Sequence, residues 1–198
     1  MTANNEELEL KDRLSLIESM IAEGRRTTER WGWVFVLWGV ANITAILWAA
    51  LAHFPWAWPI TMITAWVVTI VVAVRKTAKR PSTTLGRAVS AIWIAFGISM
   101  MLLFPALGIS GRIDEYIQIS VGSAMLGMAY AASAILLRWK AQFACALVWW
   151  CSSIYACFGK STPVAVVYLS AIFLCMIVFG VYGMISDWRM RRREASHA

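Results

Sequence analysis

Six apolar stretches, at 31–52, 56–74, 88–107, 117–137, 141–158 and 164–185, take up most of a 198-residue chain. A helix rising about 1.5 Å per residue needs roughly 17 to 25 such residues to cross the hydrocarbon of a bilayer, and each stretch has that length. With 60% hydrophobic residues and a mean hydropathy of +0.65, the composition lies outside the range of soluble domains. The expected fold is all-α: a polytopic membrane protein with six transmembrane helices in three antiparallel hairpins, preceded by a cytoplasmic amphipathic helix. Residues 1–30 form the leader, 31–185 the bundle and 186–198 a basic tail.

Lys and Arg set the orientation. Sixteen of the eighteen fall in the leader, the 75–87 link, the 138–140 turn and the tail, and only Arg112 and Lys160 fall on the other side. The positive-inside rule then puts both termini in the cytoplasm. The net charge of +7 has the same origin, so it points to anionic headgroups rather than nucleic acid. Trp31, Trp33, Trp139 and Trp188 at inner ends, with Trp48, Trp56 and Trp58 at outer ends, read as a double interfacial belt.

The leader has the pattern of a soluble helix. Leu10, Leu14, Ile17 and Ile21 recur at intervals of four, three and four, forming an apolar contact seam that Met20 widens. Asn4 with Glu7 reads as a capping pair at the helix start. Six acids and two bases lie between residues 4 and 23, a balance unlike that of helices that adsorb to anionic lipid. The expected partner of this helix is protein: its own bundle, a second copy or another chain. The acids are expected to dock it against Arg75, Lys76, Arg138 or Lys140.

No Asp, Glu, Lys, Arg or His lies inside any of the six stretches, which argues against a proton-driven pump. Asn42 is the most polar residue at depth and the first candidate to face a cavity. Ser120, Ala124, Gly127, Ala131 and Ala134, at intervals of four, three, four and three, draw a stripe of small side chains along the fourth span. In lipid such a stripe lets another backbone approach closely, so this helix is expected to be central or at an oligomer interface.

Catalytic, metal and cofactor residues are expected to be absent. Cys145, Cys151 and Cys157 are six residues apart, which turns successive thiols about 120° around a helix, so with Cys175 they read as packing residues. No His lies at membrane depth to ligate haem, and no zinc-ligand pair or Gly-rich phosphate loop occurs. Gly108-Ile109-Ser110-Gly111 resembles the Gly-x-Ser-Gly motif of rhomboid proteases, but that chemistry requires an embedded histidine and only His53 and His197 are present. Trp38, Trp93 and Trp149 each precede a small or polar residue by four, followed by Ile, at spacings of 55 and 56 residues. This regularity suggests a hairpin repeated three times, with each Trp covering the residue one turn on.

The segment from Ile17 to Arg26, followed by Trp31 to Gly39, resembles uncharacterised multi-pass membrane proteins of bacteria. The resemblance implies a bacterial inner membrane and no particular activity. Two readings of function follow. One is a membrane-embedded interaction or regulatory protein, not an enzyme, with the lipid bilayer as solvent and a protein partner or homo-oligomer contacted through the leader. The other is a passive carrier or channel for a small neutral or amphipathic solute.

Overall fold

The computed structural model describes residues 2–54, 56–77, 84–111, 114–159 and 161–196, and the described residues are helical with no strand. The helices are α1 (Thr2–Arg30), α2 (Gly32–Ala52), α3 (Ala57–Thr77), α4 (Thr84–Ile109), α5 (Glu115–Leu137), α6 (Lys140–Phe158), α7 (Ser161–Ile172) and α8 (Phe179–Ser196). A π-helical segment, Phe173–Val178, joins α7 to α8. Six segments are long and apolar enough to span a membrane, so the chain is a multi-pass membrane protein by length and composition. Parts of the 75–87 link, together with Arg112, Lys160 and His197, lie outside the described residues.

Several boundaries differ from the sequence reading. The leader helix begins at Thr2, so Asn4 stands inside it rather than capping its start. It runs to Arg30, and only a tight turn at Trp31 (φ −90°, ψ 5°) separates it from α2. The Trp31 amide is shared between the Thr27 and Thr28 carbonyls at 3.2 and 3.1 Å, which carries the hydrogen-bond ladder nearly unbroken into α2. Helix α8 continues through the basic segment to Ser196.

Helix α5 is the centre of the bundle. Of its most apolar window 56% is buried, against 6% for α4. It packs along α6, with Gly127 under the indole of Trp150 and Ser120 beside Ser153. Around Tyr130 of α5 an aromatic core gathers Phe35 of α2, Trp93 of α4 and Phe179 of α8, with ring centroids 5.2 to 5.9 Å from Tyr130. The Tyr130 hydroxyl donates to the Cys175 carbonyl at 2.6 Å, inside the π segment. In lipid a carbonyl shifted off the α-helical ladder has no water to turn to, and this hydroxyl supplies the donor.

Trp139 belongs to this core. It is buried, its ring 5.2 Å from that of Phe179, because the left-handed turn at Arg138 (φ 49°) folds it under the bundle instead of into the headgroup belt. The three repeat tryptophans also have unlike surroundings. Gly97 is covered by Trp66 of α3, not by Trp93, and Trp66 also meets Trp38 edge-on at 5.6 Å. Trp149 is fully buried and lies 6.1 Å from Tyr168.

The last helix is held to the first span by backbone contact. A Cβ placed on Gly180 falls 2.7 Å from the Gly32 carbonyl oxygen, and one on Gly32 falls 2.6 Å from that of Gly180. Gly39 faces Met176 and Ile177 one level deeper, and Gly183 faces the Glu29 backbone one level out. Gly180→Ala is therefore expected to lower detergent stability by about 1–3 kcal/mol through forced separation of the helices. Gly108, with nothing within 4 Å of its Cβ position, is the control: Gly108→Ala is expected to be neutral or to stabilise by up to about 1 kcal/mol. Thermal unfolding of both variants in one detergent checks the opposite signs.

Candidate functional site

The densest polar arrangement among the described residues lies where the leader meets the bundle. Helix α5 ends in a left-handed cap: the Arg138 amide bonds to the Ile135 carbonyl and the Trp139 amide to Ala134, at 3.2 and 2.9 Å. That leaves the final carbonyls of α5 in need of donors, at the negative end of the helix dipole. Arg25 of the leader supplies them. Its Nε donates to the Leu137 carbonyl at 2.7 Å and its Nη2 to the Arg138 carbonyl. Gly24 makes the approach feasible, because a Cβ there would lie 2.7 Å from the Leu137 side chain and 3.1 Å from Leu85 of α4.

One turn on, the leader meets α8. Glu29 accepts from the Ser186 hydroxyl at 3.0 Å, and Arg30 lies 3.7 Å from Asp187. Asp187 also pairs with Arg191 at 2.8 Å. Burial raises the pKa of the Glu29 carboxyl above its ordinary value, and the nearby Asp187 charge adds to the rise, while the Ser186 hydrogen bond, Arg26 and Arg25 oppose it. Thr28 is buried between these contacts, its hydroxyl turned back to the Gly24 carbonyl at 3.1 Å.

The contacts described at this junction have a different polarity from the sequence expectation, parts of which (the side chains of Glu6, Glu7 and Lys76) lie outside the described residues. The acids of the leader were expected to meet cytoplasmic bases, yet the cation Arg25 reaches carbonyls and Arg30 reaches an acid of the last helix. The net charge between residues 4 and 23 misleads here because the contacts are made by the turns that follow it.

The expected seam divides in two. Ile21 is partly covered, while Leu10, Leu14 and Ile17 are 62, 54 and 52% exposed, so the cis contact stops about one turn before Gly24. The small stripe lies at the α5–α6 contact through Ser120 and Gly127, with Ala131 and Ala134 buried and Ala124 partly so. Asn42 is buried, and its amide donates to the Trp38 carbonyl of its own helix at 2.8 Å.

Two further polar arrangements lie away from the junction. At the far end of the bundle, Ser120, Ser153 and Cys157 form a hydroxyl and thiol cluster, with Ser120 Oγ 3.1 Å from Cys157 Sγ. Ser120 and Cys157, with Tyr116, line an open hollow of about 490 Å³. Of the four cysteines, Cys175 is buried, Cys145 partly covered, and Cys151 and Cys157 exposed in the single chain. Deeper in, Ser123, Ser133, Gln142 and Ser152 are buried without a hydrogen-bond partner among the described residues. Ser110 of the Gly-x-Ser-Gly sequence is exposed and donates to the Leu107 carbonyl at 3.0 Å. No group of three or more His, Cys, Asp or Glu suited to a metal ion occurs among the described residues.

Two outcomes are expected at the junction. Arg25→Ala should weaken docking by about 1–2 kcal/mol, with Arg25→Lys recovering part of it, because a point charge satisfies the dipole but not both carbonyls. Amide exchange over residues 24–31 and 137–139 reads this directly. The second concerns pH. A carboxyl whose pKa is raised on docking contributes stability that is complete below its undocked pKa and is lost as pH rises through its docked pKa. Protection of residues 24–31 should therefore strengthen as pH falls from neutral toward 4.5, and Glu29→Gln should hold the protected state at neutral pH and remove that dependence.

Compared with protein-family models, with curated proteins and with solved structures, the chain matches none.

Proposed function

We propose that this protein is a membrane-embedded interaction or regulatory protein of a bacterial inner membrane, not an enzyme. In this reading six helices form three antiparallel hairpins, both termini are cytoplasmic, and the leader is the contact surface. The observation that carries it is the division of the leader seam: Gly24 to Arg30 are engaged with α4, α5 and α8, while Leu10, Leu14 and Ile17 remain exposed on the same helix. A helix whose base is held by Arg25 presents its distal apolar face in a defined direction, so little ordering entropy is left to lose on binding. Large exposed apolar residues on a polar helix outside the spans mark a contact surface.

The sixteen-to-two distribution of bases supports the orientation. Labelling of single cysteines with an impermeant maleimide in intact cells tests both parts. Cysteines at 14 and 79 are expected to stay unlabelled until the cells are opened. Labelling of either from outside overturns the topology. In opened native membranes, position 14 is expected to react several-fold more slowly than the exposed position 19 because the seam is occupied; equal rates overturn the contact role.

A further inference from the structure

We infer that the exposed part of the leader pairs in parallel with the same segment of a second copy of this chain, as a short two-heptad coiled coil that ends where each leader docks onto its own bundle. This rests on the contact role proposed above and names its occupant.

The heptad register follows from the seam. With Leu14 and Ile21 at a, and Leu10 and Ile17 at d, the next core positions are Gly24 at d and Thr28 at a. Those last two are the residues buried against the chain's own helices. One continuous stripe therefore serves two contacts, and the exposed heptads stand outside the cis contact on a helix that is already formed.

Charge selects the partner. In this register Arg13 occupies g and Glu18 the following e, the two positions that face each other across a parallel pair. Arg13 of one copy thus meets Glu18 of the other, and symmetry makes the pair twice. The sequence has the same alternation one heptad earlier, with Glu6 at g and Lys11 at e. Within the single chain Arg13 rests on Glu9 one turn back at 2.6 Å, where both are exposed and Arg13 can turn toward a neighbour. A parallel arrangement is imposed by insertion, since two copies in one bilayer with the same topology send their leaders out in the same direction.

Two heptads are too short to associate strongly as a free peptide. Here both strands are tethered to bundles in one membrane, and their helices need no nucleation because α1 runs almost directly into α2. Tethering raises the effective concentration, which a short seam needs.

The test is disulfide crosslinking in native membranes of the full chain, with its four cysteines replaced by alanine and single cysteines returned at 14, 17, 16 or 19. Positions 14 and 17 are expected to crosslink several-fold more than 16 and 19, which lie at c and f. In the position-17 background, Arg13→Glu or Glu18→Arg alone should cut crosslinking about fivefold, and the double exchange Arg13→Glu with Glu18→Arg should restore it. The exchange does not restore the Arg13 contact with Glu9, so recovery identifies an interchain pair. Crosslinking that is absent, or equal at all four positions, or not rescued by the double exchange, overturns self-pairing. If position 14 is then still shielded in native membranes and becomes reactive on purification, the occupant is another protein and the contact role stands. If it is reactive throughout, both fall.

Discussion

The contact between the backbones of Gly32 and Gly180 is the constraint on which the rest of the structure depends. In a bilayer, apolar burial between helices gains little over burial in lipid, so helices associate where their surfaces approach closely enough for dispersion and polar contacts. At Gly32 and Gly180 each backbone takes the place a Cβ would occupy on the other helix. This sets α8 against the start of α2, where the leader turns into the first apolar segment. It brings Phe179 to Phe35 on the side toward the bundle core and Ser186 and Asp187 to Glu29 and Arg30 on the side toward the leader. The aromatic core and the polar junction are consequences of one close approach.

The π segment follows from the same geometry. Helix α8 must present Gly180 to Gly32 and Phe179 to the ring cluster, while Ile172 and Cys175 stay buried in the bundle. A stretch of wider turns shifts the angular register between the two halves of the span. The Tyr130 hydroxyl on the Cys175 carbonyl offsets the disturbed hydrogen bonding at that point. Tyr130 touches Phe35, Trp93 and Phe179 as well, so one side chain couples α2, α4, α5 and the last span.

The six spans were legible because hydropathy over about 20 residues is a local property of the chain. The α5 stripe was legible for a similar reason: Ser120 and Gly127 belong to one periodic pattern on one helix. Gly32 and Gly180 were not, since each is a single glycine whose meaning depends on a partner far away in sequence. Trp139 was misread because its interfacial position in sequence holds no sign of the left-handed turn that tucks it inward. The role of Arg25 was hidden by averaging. The acidic balance of the leader is real, yet the site is governed by two carbonyls at a helix end, which carry no formal charge and appear in no charge count.

The junction and the distal seam are physically linked because they lie on one helix. Arg25 holds the leader against the end of α5 by charge-assisted hydrogen bonds, and Gly24 permits the contact by having no side chain. Gly24 and Thr28 occupy core positions of the heptad register but are poor residues for a helix pair, one for its missing side chain and the other for its hydroxyl. If the junction opened, the seam would lengthen only by these weak positions, so little would be gained from extending the pairing toward the membrane. The loss at Leu137, Arg138, Ser186 and Asp187 would be larger, since those polar groups would have to find other partners at the membrane surface. The balance favours a leader that stays docked at its base while its tip makes contacts. Changes at Glu29, through protonation or substitution, then act on the direction in which the tip is held rather than on the tip's own apolar surface.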